Sequence, residues 1–337
     1  MKAVAFYQNL PIEAPDSLRD VELPAPEPGP RDLLVEVRAV SVNPVDTKVR
    51  ANMPPAAGQP RVLGWDAAGV VRAVGAEVTL FRPGDRVWYA GALQRQGTNS
   101  EQHVVDERIV GHMPSSLDFA HAAALPLTAI TAWELLFDRL QVAQQRDPCG
   151  RSLLVVGAAG GVGSILVQLA RRLTGLRVIG TASRPQTADW VRELGAHEVI
   201  DHSKPLAEEL RRVGVGEVDY VASLNQSDRH FDQIVEAIRP QGRFALIDDP
   251  ELVDFRKLKR KSVSLHWEFM FTRSMFATDD QVRQHELLEQ VAAMVDAGTL
   301  RTTLGEHFGT IDAASLKRAH ALLESQRARG KIVLEGF

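Results

Sequence analysis

The 337-residue chain carries 39 basic and 43 acidic side chains, a formal net charge of -4, and 45% hydrophobic residues. At ~100–200 residues per domain, that length predicts two domains, each large enough for an ordinary core. The charge balance excludes a general attraction to nucleic acid or acidic membranes, and one cysteine excludes an intramolecular disulfide framework. With no uninterrupted apolar run near the ~20 residues that span a bilayer, the expectation is a cytoplasmic protein.

The first ~125 residues are rich in Val, Gly and Pro, in short strand-like runs. Met1–Phe6 has a strand pattern without the long apolar run of a signal peptide. Leu33–Ser41, Ala67–Val74 and Arg86–Ala90 follow, punctuated at Pro24 to Pro30, Pro54 to Pro60 and Pro83-Gly84-Asp85. That texture predicts a compact β-barrel or sandwich. Near Leu125 it changes: Ala120 to Leu140 reads as helical, and strands then alternate with helices. The strands are Leu153–Val156, Arg177–Ala182, Glu198–Asp201, Val218–Ser223, Arg243–Asp248 and Val263–Trp267, with helices at Gly163–Leu173 and around Pro205–Val213. Such alternation predicts a parallel sheet with helices on both faces. Cys149 falls in a polar loop and reads as incidental, and the basic run Arg256–Lys261 reads as a solvated face. A helix over Gln281–Ala297 and a closing apolar strand, Lys331–Leu334, return the chain to its first domain. The fold class is therefore α/β, a doubly wound parallel sheet (126–271) inserted in a β-rich domain (1–125 plus 272–337).

The sharpest local signal is Leu153-Leu154-Val155-Val156 running into Gly157-Ala158-Ala159-Gly160-Gly161-Val162 with a helix directly behind. Glycines let the backbone approach a pyrophosphate, and the helix start presents unpaired N–H groups and a positive dipole end. Measured against the usual G-x-G-x-x-G, the first glycine is replaced by Ala158, so strand, loop and helix in order carry the assignment of dinucleotide binding. An NAD site usually places an acid at the end of the next strand. Here that strand ends in Ser183-Arg184, with no carboxylate before Asp189. A hydroxyl beside a guanidinium suits a 2′-phosphate and predicts NADP(H). The competing role for Ser183 is to cap the helix beginning near Pro185.

Taken together, Ser41-Val42-Asn43-Pro44-Val45-Asp46, Gly64-Trp65-Asp66-Ala67-Ala68-Gly69, Leu125-Pro126-Leu127-Thr128 with Ala129-Ile130-Thr131-Ala132-Trp133, the glycine loop, and Gly330-Lys331-Ile332-Val333-Leu334 resemble the medium-chain dehydrogenase/reductase superfamily. More narrowly, they resemble its quinone-oxidoreductase-like branch, often labelled zinc-type alcohol dehydrogenase-like. The resemblance covers essentially the whole chain. It implies a GroES-like substrate domain, a Rossmann cofactor domain, an active site between them and a homodimer. Zinc-dependent relatives hold the ion with a cysteine, a histidine often followed by glutamate, and a second cysteine or acid. The first position here is Asn43, the second is Gly64-Trp65-Asp66, and amide and indole are poor zinc ligands; no metal is expected.

Without a Lewis acid, the resemblance implies hydride transfer from NADPH to quinones or to alkenes conjugated to a carbonyl, whose charge is delocalised. Two roles are open to Asn43, a hydrogen-bond donor to substrate or a brace for the turn at Pro44, while Asp46 is expected to cap that segment. Thr128 is expected to bond the nicotinamide ring or the substrate. Tyr89 is either a proton donor or a strand tyrosine. The tyrosine that quinone reductases often carry after the Asn segment is missing from Arg50-Ala51-Asn52-Met53-Pro54-Pro55. Lys331 either approaches the cofactor or lies at the surface. The aromatic run His266 to Phe271 either walls an apolar pocket with Trp65 and Trp133 or is plain core. Two other readings stay open: a zinc alcohol dehydrogenase, and a cofactor-binding protein without catalysis.

Overall fold

The structure is a computed structural model describing residues 1–337. It divides into two compact units, Met1–Ile130 with Phe271–Phe337, and Thr131–Met270.

The first unit opens with β1 (Lys2–Phe6), β2 (Arg19–Glu22) and β3 (Asp32–Val42), then α1 (Pro44–Asn52). After these come β4 (Arg61–Val62), β5 (Asp66–Val74), β6 (Arg86–Ala90), β7 (Gln102–Asp106), β8 (Val110–His112) and α2 (Phe119–Ala123). Pro126, which cannot continue the preceding helix, starts α3 (Pro126–Trp133). The helix read over Ala120–Leu140 is thus two helices followed by a π-helical stretch, Glu134–Arg139. The run Phe119–Arg139 reaches a mean hydropathy of 1.3, but 89% of its most apolar window is buried, so its apolarity belongs to a core.

In the second unit, β9 (Ser152–Val156), β10 (Arg177–Thr181), β11 (Glu198–Ile200), β12 (Val218–Ser223), β13 (Ile238–Leu246) and β14 (Ser264–Trp267) form one parallel sheet. The helices α4 (Gly161–Leu173), α5 (Pro185–Glu193), α6 (Leu206–Arg212) and α7 (Ser227–Ala237) connect its first five strands. Spatial order is β11-β10-β9-β12-β13-β14, so the winding reverses between β9 and β12. In such a Rossmann sheet, ligands bind at the carboxyl ends of the strands beside that reversal. β9 is buried at every position, as a strand covered on both faces must be. The basic run lies on a short 3-10 helix, where Lys257 meets Asp232 and Lys261 meets Glu217. Cys149 is half-buried, its thiol donating to the Gly175 carbonyl.

The chain then returns to the first unit through α8 (Thr272–Phe276), α9 (Arg283–Asp296), β15 (Leu304–His307), α10 (Ala313–Glu324) and β16 (Lys331–Glu335). The larger GroES-like sheet runs β15-β16-β3-β5-β6-β8, with β7 also on β3. Its register positions the polar residues of interest. Antiparallel pairing sets Ile332 opposite Val42 and Ser41 opposite Asp66. Lys331, Asn43 and Asp66 therefore lie together at adjacent ends of three neighbouring strands.

Candidate active site and nucleotide crevice

Gly157 directly follows β9 at φ +84°, a conformation that side chains rarely adopt. It faces the end of β12, where a Cβ on Gly157 would lie 3.6 Å from the Leu224 Cβ, so the turn sits at the winding reversal. Gly163 packs so closely that a Cβ there would fall 2.5 Å from the Gly157 carbonyl oxygen. α4 can thus begin directly against the turn. Its first N–H groups, at Gly161 and Val162, have no helical carbonyl to meet and can serve an anion. Gly157, Ala159, Gly160, Gly161 and Val162 are partly accessible. Ala158 corrects the expectation of a cofactor contact: it is fully buried, with its methyl against Gly180.

At the end of β10, Ser183 and Arg184 are exposed. The helix-cap alternative for Ser183 does not hold. Arg184 occupies the N-cap of α5, whose first turn has no side-chain cap, and Pro185 starts the helix. Asp189 lies within α5, paired with Arg192. A residue that sequence reasoning passed over joins this edge: His202, just beyond β11, shares a hydrogen bond of 3.2 Å between Nδ1 and Thr181 Oγ1. That hydroxyl also accepts from the Gly157 N–H at 3.1 Å.

In the first unit the sheet register produces a buried hub. Lys331 Nζ donates to Asp66 Oδ2 (2.9 Å), to the Val42 carbonyl (3.0 Å) and to Asn43 Oδ1. Asn43 Nδ2 donates to Asp66 Oδ2 (2.8 Å) and to the Ser41 carbonyl (3.2 Å). Asp66 Oδ1 accepts from the Leu127 N–H (2.7 Å), anchoring the start of α3. Asp46 Oδ2 accepts from the Asn43 N–H (2.7 Å), the capping role expected of it. Burial raises the Asp46 carboxyl to about 7; the Asn43 N–H and Lys331 pull it down, and Asp66 pushes it up.

The hub corrects two expectations. Both Asn43 amide hydrogens end on protein acceptors and its side chain is buried, so it braces the turn and has no donor left for a substrate. Lys331 is neither a surface lysine nor a cofactor donor, because its three ammonium hydrogens are matched by three buried acceptors.

Tyr89 is corrected too. It is wholly buried, its OH 3.1 Å from His103 Nδ1, and the rings stack 5.5 Å apart. His103 Nε2 lies 3.0 Å from the Gln96 carbonyl, which can only accept, so Nδ1 must take the Tyr89 proton. Burial raises the phenol further and holds His103 down at about 4. Tyr89→Phe is therefore expected to cost about 1–3 kcal/mol of stability, by orphaning that nitrogen, while kcat stays within about twofold. A large loss of kcat in the folded variant would restore Tyr89 as proton donor.

Thr128 is buried on α3, and its hydroxyl donates to the Leu125 carbonyl at 3.0 Å. Trp65 is core, edge-on to Phe271 at 6.1 Å, with its indole N–H toward the Ala92 carbonyl. Trp133 packs on Phe137 at 4.9 Å within the other unit. Zinc does not fit the residues at the ligand positions. Asn43 is consumed in the hub, Trp65 offers an indole facing a carbonyl, and an ammonium already neutralises Asp66.

Family comparisons agree with the architecture. Residues 29–125 match the alcohol dehydrogenase GroES-like domain, and 194–334 match a zinc-binding dehydrogenase model. A zinc-type alcohol dehydrogenase-like protein of Staphylococcus aureus is 39% identical over 99% of both chains. A quinone oxidoreductase of Pseudomonas aeruginosa is 33% identical over 91% of this chain and 92% of its own. Among solved structures, a protein from Rhizobium etli provisionally named a zinc-dependent alcohol dehydrogenase superposes with a TM-score of 0.96 at 57% identity, covering 100% of this chain and 98% of that one. The NADPH complex of Escherichia coli quinone oxidoreductase gives 0.85 at 25% identity, covering 99% and 100%. The chain belongs to the medium-chain dehydrogenase/reductase superfamily, among its zinc-type alcohol dehydrogenase-like and quinone-oxidoreductase-like members.

Proposed function

We propose that this oxidoreductase uses NADPH, without a metal, to reduce quinones or alkenes conjugated to a carbonyl. The observation that carries the reading is the hub: Asn43, at the first ligand position, has a saturated amide, and the Lys331 ammonium neutralises Asp66, next to Trp65 at the second, in a chain that keeps its glycine turn. Relatives named as quinone oxidoreductases, one of them complexed with NADPH, support it.

The nicotinamide, when bound, supplies a hydride. Gly157, Ala159 and the first N–H groups of α4 would hold the pyrophosphate, and Ser183 with Arg184 the 2′-phosphate. The hub locks the starts of α1 and α3 in place. Thr128, whose hydrogen goes to Leu125, keeps only acceptor capacity for an amide N–H or a substrate hydroxyl. Acceptors that delocalise charge suit a site without a Lewis acid.

The test is NADPH oxidation across quinones, enones and simple alcohols, with and without chelator. Turnover of the first two classes, indifferent to chelation, is expected; alcohol oxidation that tracks added zinc would overturn the reading. Arg184→Ala is expected to raise the NADPH Kd by about 10–100-fold and to leave NADH within about twofold. Equal losses for both nucleotides would remove Arg184 from phosphate recognition.

A further inference from the structure

Arg184 and His202 come from neighbouring parallel strands. β10 and β11 pair Thr181 with Ile200, and the Ala182 N–H extends the pairing to the Ile200 carbonyl at 2.9 Å. Arg184 and His202 thus follow that register by three and two residues, on strand ends about 5 Å apart. The His202 ring is tied at one edge only, Nδ1 to Thr181 Oγ1, and its Nε2 meets no protein partner. Through Thr181, the imidazole is linked by two hydrogen bonds to the Gly157 N–H of the glycine turn. The ring is therefore oriented, half-accessible, and presents a nitrogen at the edge where Arg184 stands.

From this placement the geometry points to His202 as a second reader of the nucleotide's 2′-phosphate, one that takes up a proton as the dianion binds. This rests on the NADPH reading above and adds proton-linked recognition to it.

Several charged and titratable groups surround the ring. On its own segment Asp201 is held by the Ser203 N–H and hydroxyl at 2.9 and 2.7 Å. From the β10 side Arg184 acts on it. From α7 comes His230, edge-to-face at 5.8 Å, itself influenced by Arg229, Asp228 and, from beyond β13, Asp248. Burial lowers the His202 imidazole below its ordinary value, with Asp201 opposing and Arg184 adding to the fall. The ring thus enters neutral near pH 7, with Nε2 free to donate if the Thr181 hydroxyl hydrogen points at Nδ1. A phosphate dianion beside it reverses the balance, because it outweighs the single Arg184 charge and stabilises the imidazolium. Thr181 tolerates both states: its oxygen has lone pairs for Gly157 and for an Nδ1–H.

The test is calorimetric titration of NADPH and NADH into the wild-type protein and into His202→Gln, in two buffers of different ionisation enthalpy. Glutamine keeps an N–H donor and cannot titrate. Because the 2′-phosphate titrates near pH 6 by itself, the decisive quantity is the wild-type-minus-variant difference in protons taken up per NADPH. A positive difference, up to one proton between pH 6.5 and 7.5 and absent for NADH, is expected. The variant should also weaken NADPH by about tenfold at pH 6.5 and less at pH 8.5. Equal proton uptake in both proteins, with NADPH still tighter than NADH, overturns the role of His202 alone. NADPH no tighter than NADH in the wild type overturns the cofactor reading instead.

Discussion

Replacing Lys331 by methionine is expected to destabilise the fold by about 3–5 kcal/mol, the usual cost of leaving one partner of a buried ion pair uncompensated. The Lys331 and Asp66 side chains are 3% and 0% exposed. Without the ammonium, the Asp66 carboxylate retains the Asn43 amide and the Leu127 N–H, but no positive charge. Methionine keeps most of the aliphatic stem, so lost packing contributes little. Chemical denaturation with an unchanged slope would report the loss directly. The double variant Lys331→Met, Asp66→Asn removes both charges and is expected to recover at least half of it, a coupling that distant sites do not show. A single-variant loss below about 1 kcal/mol, or a strictly additive double variant, would mean that the pair is not an ionic unit.

The hub shows where reading the sequence stops. Each member stood in a motif that was legible by itself, yet Lys331 lies 265 residues from Asp66 and 288 from Asn43. Lysine is seldom buried, so only the β16–β3–β5 register reveals that this one is. The same register effect hid His202, which carries no motif and gains meaning only from the pairing of β10 with β11. Period and punctuation did locate strands whose patterns are local: Arg86–Ala90 and Val218–Ser223 match to the residue. β13 begins earlier than Arg243 because a register irregularity, with Gln241 at φ +64°, interrupts it. Helix α7 starts from left-handed Gln226, with no capping side chain to announce it in the sequence. Helix α10 did carry a signal, Asp312 accepting from the Ser315 N–H. The cap alternative for Ser183 looked plausible because a serine stands just before Pro185, but Arg184 takes the N-cap position.

Asp46 gives the hub a pH dependence whose sign follows from burial. Its carboxyl rises from 3.8 to about 7, chiefly because the fold removes it from water. Below pH 4 both folded and unfolded chains hold this proton, and the group does not affect stability. As pH rises from 4 to 7 the unfolded chain releases it first, so stability falls; above 7 both states are ionised and the loss levels off. Three pH units at about 1.4 kcal/mol each set the size at about 4 kcal/mol. Asp46→Asn can still accept the Asn43 N–H and has nothing to ionise. The wild type is therefore expected to lose stability relative to this variant between pH 4 and 7, by several kcal/mol, and to run parallel to it from pH 7.5 to 9. Other titrating groups, such as Glu209 and Asp296, which hydrogen bonds hold down at about 2, are common to both proteins and cancel in the difference. Denaturation midpoints of the two proteins that stay parallel across the whole range would show that Asp46 ionises in the fold as readily as in the unfolded chain, and that Lys331 balances both carboxylates.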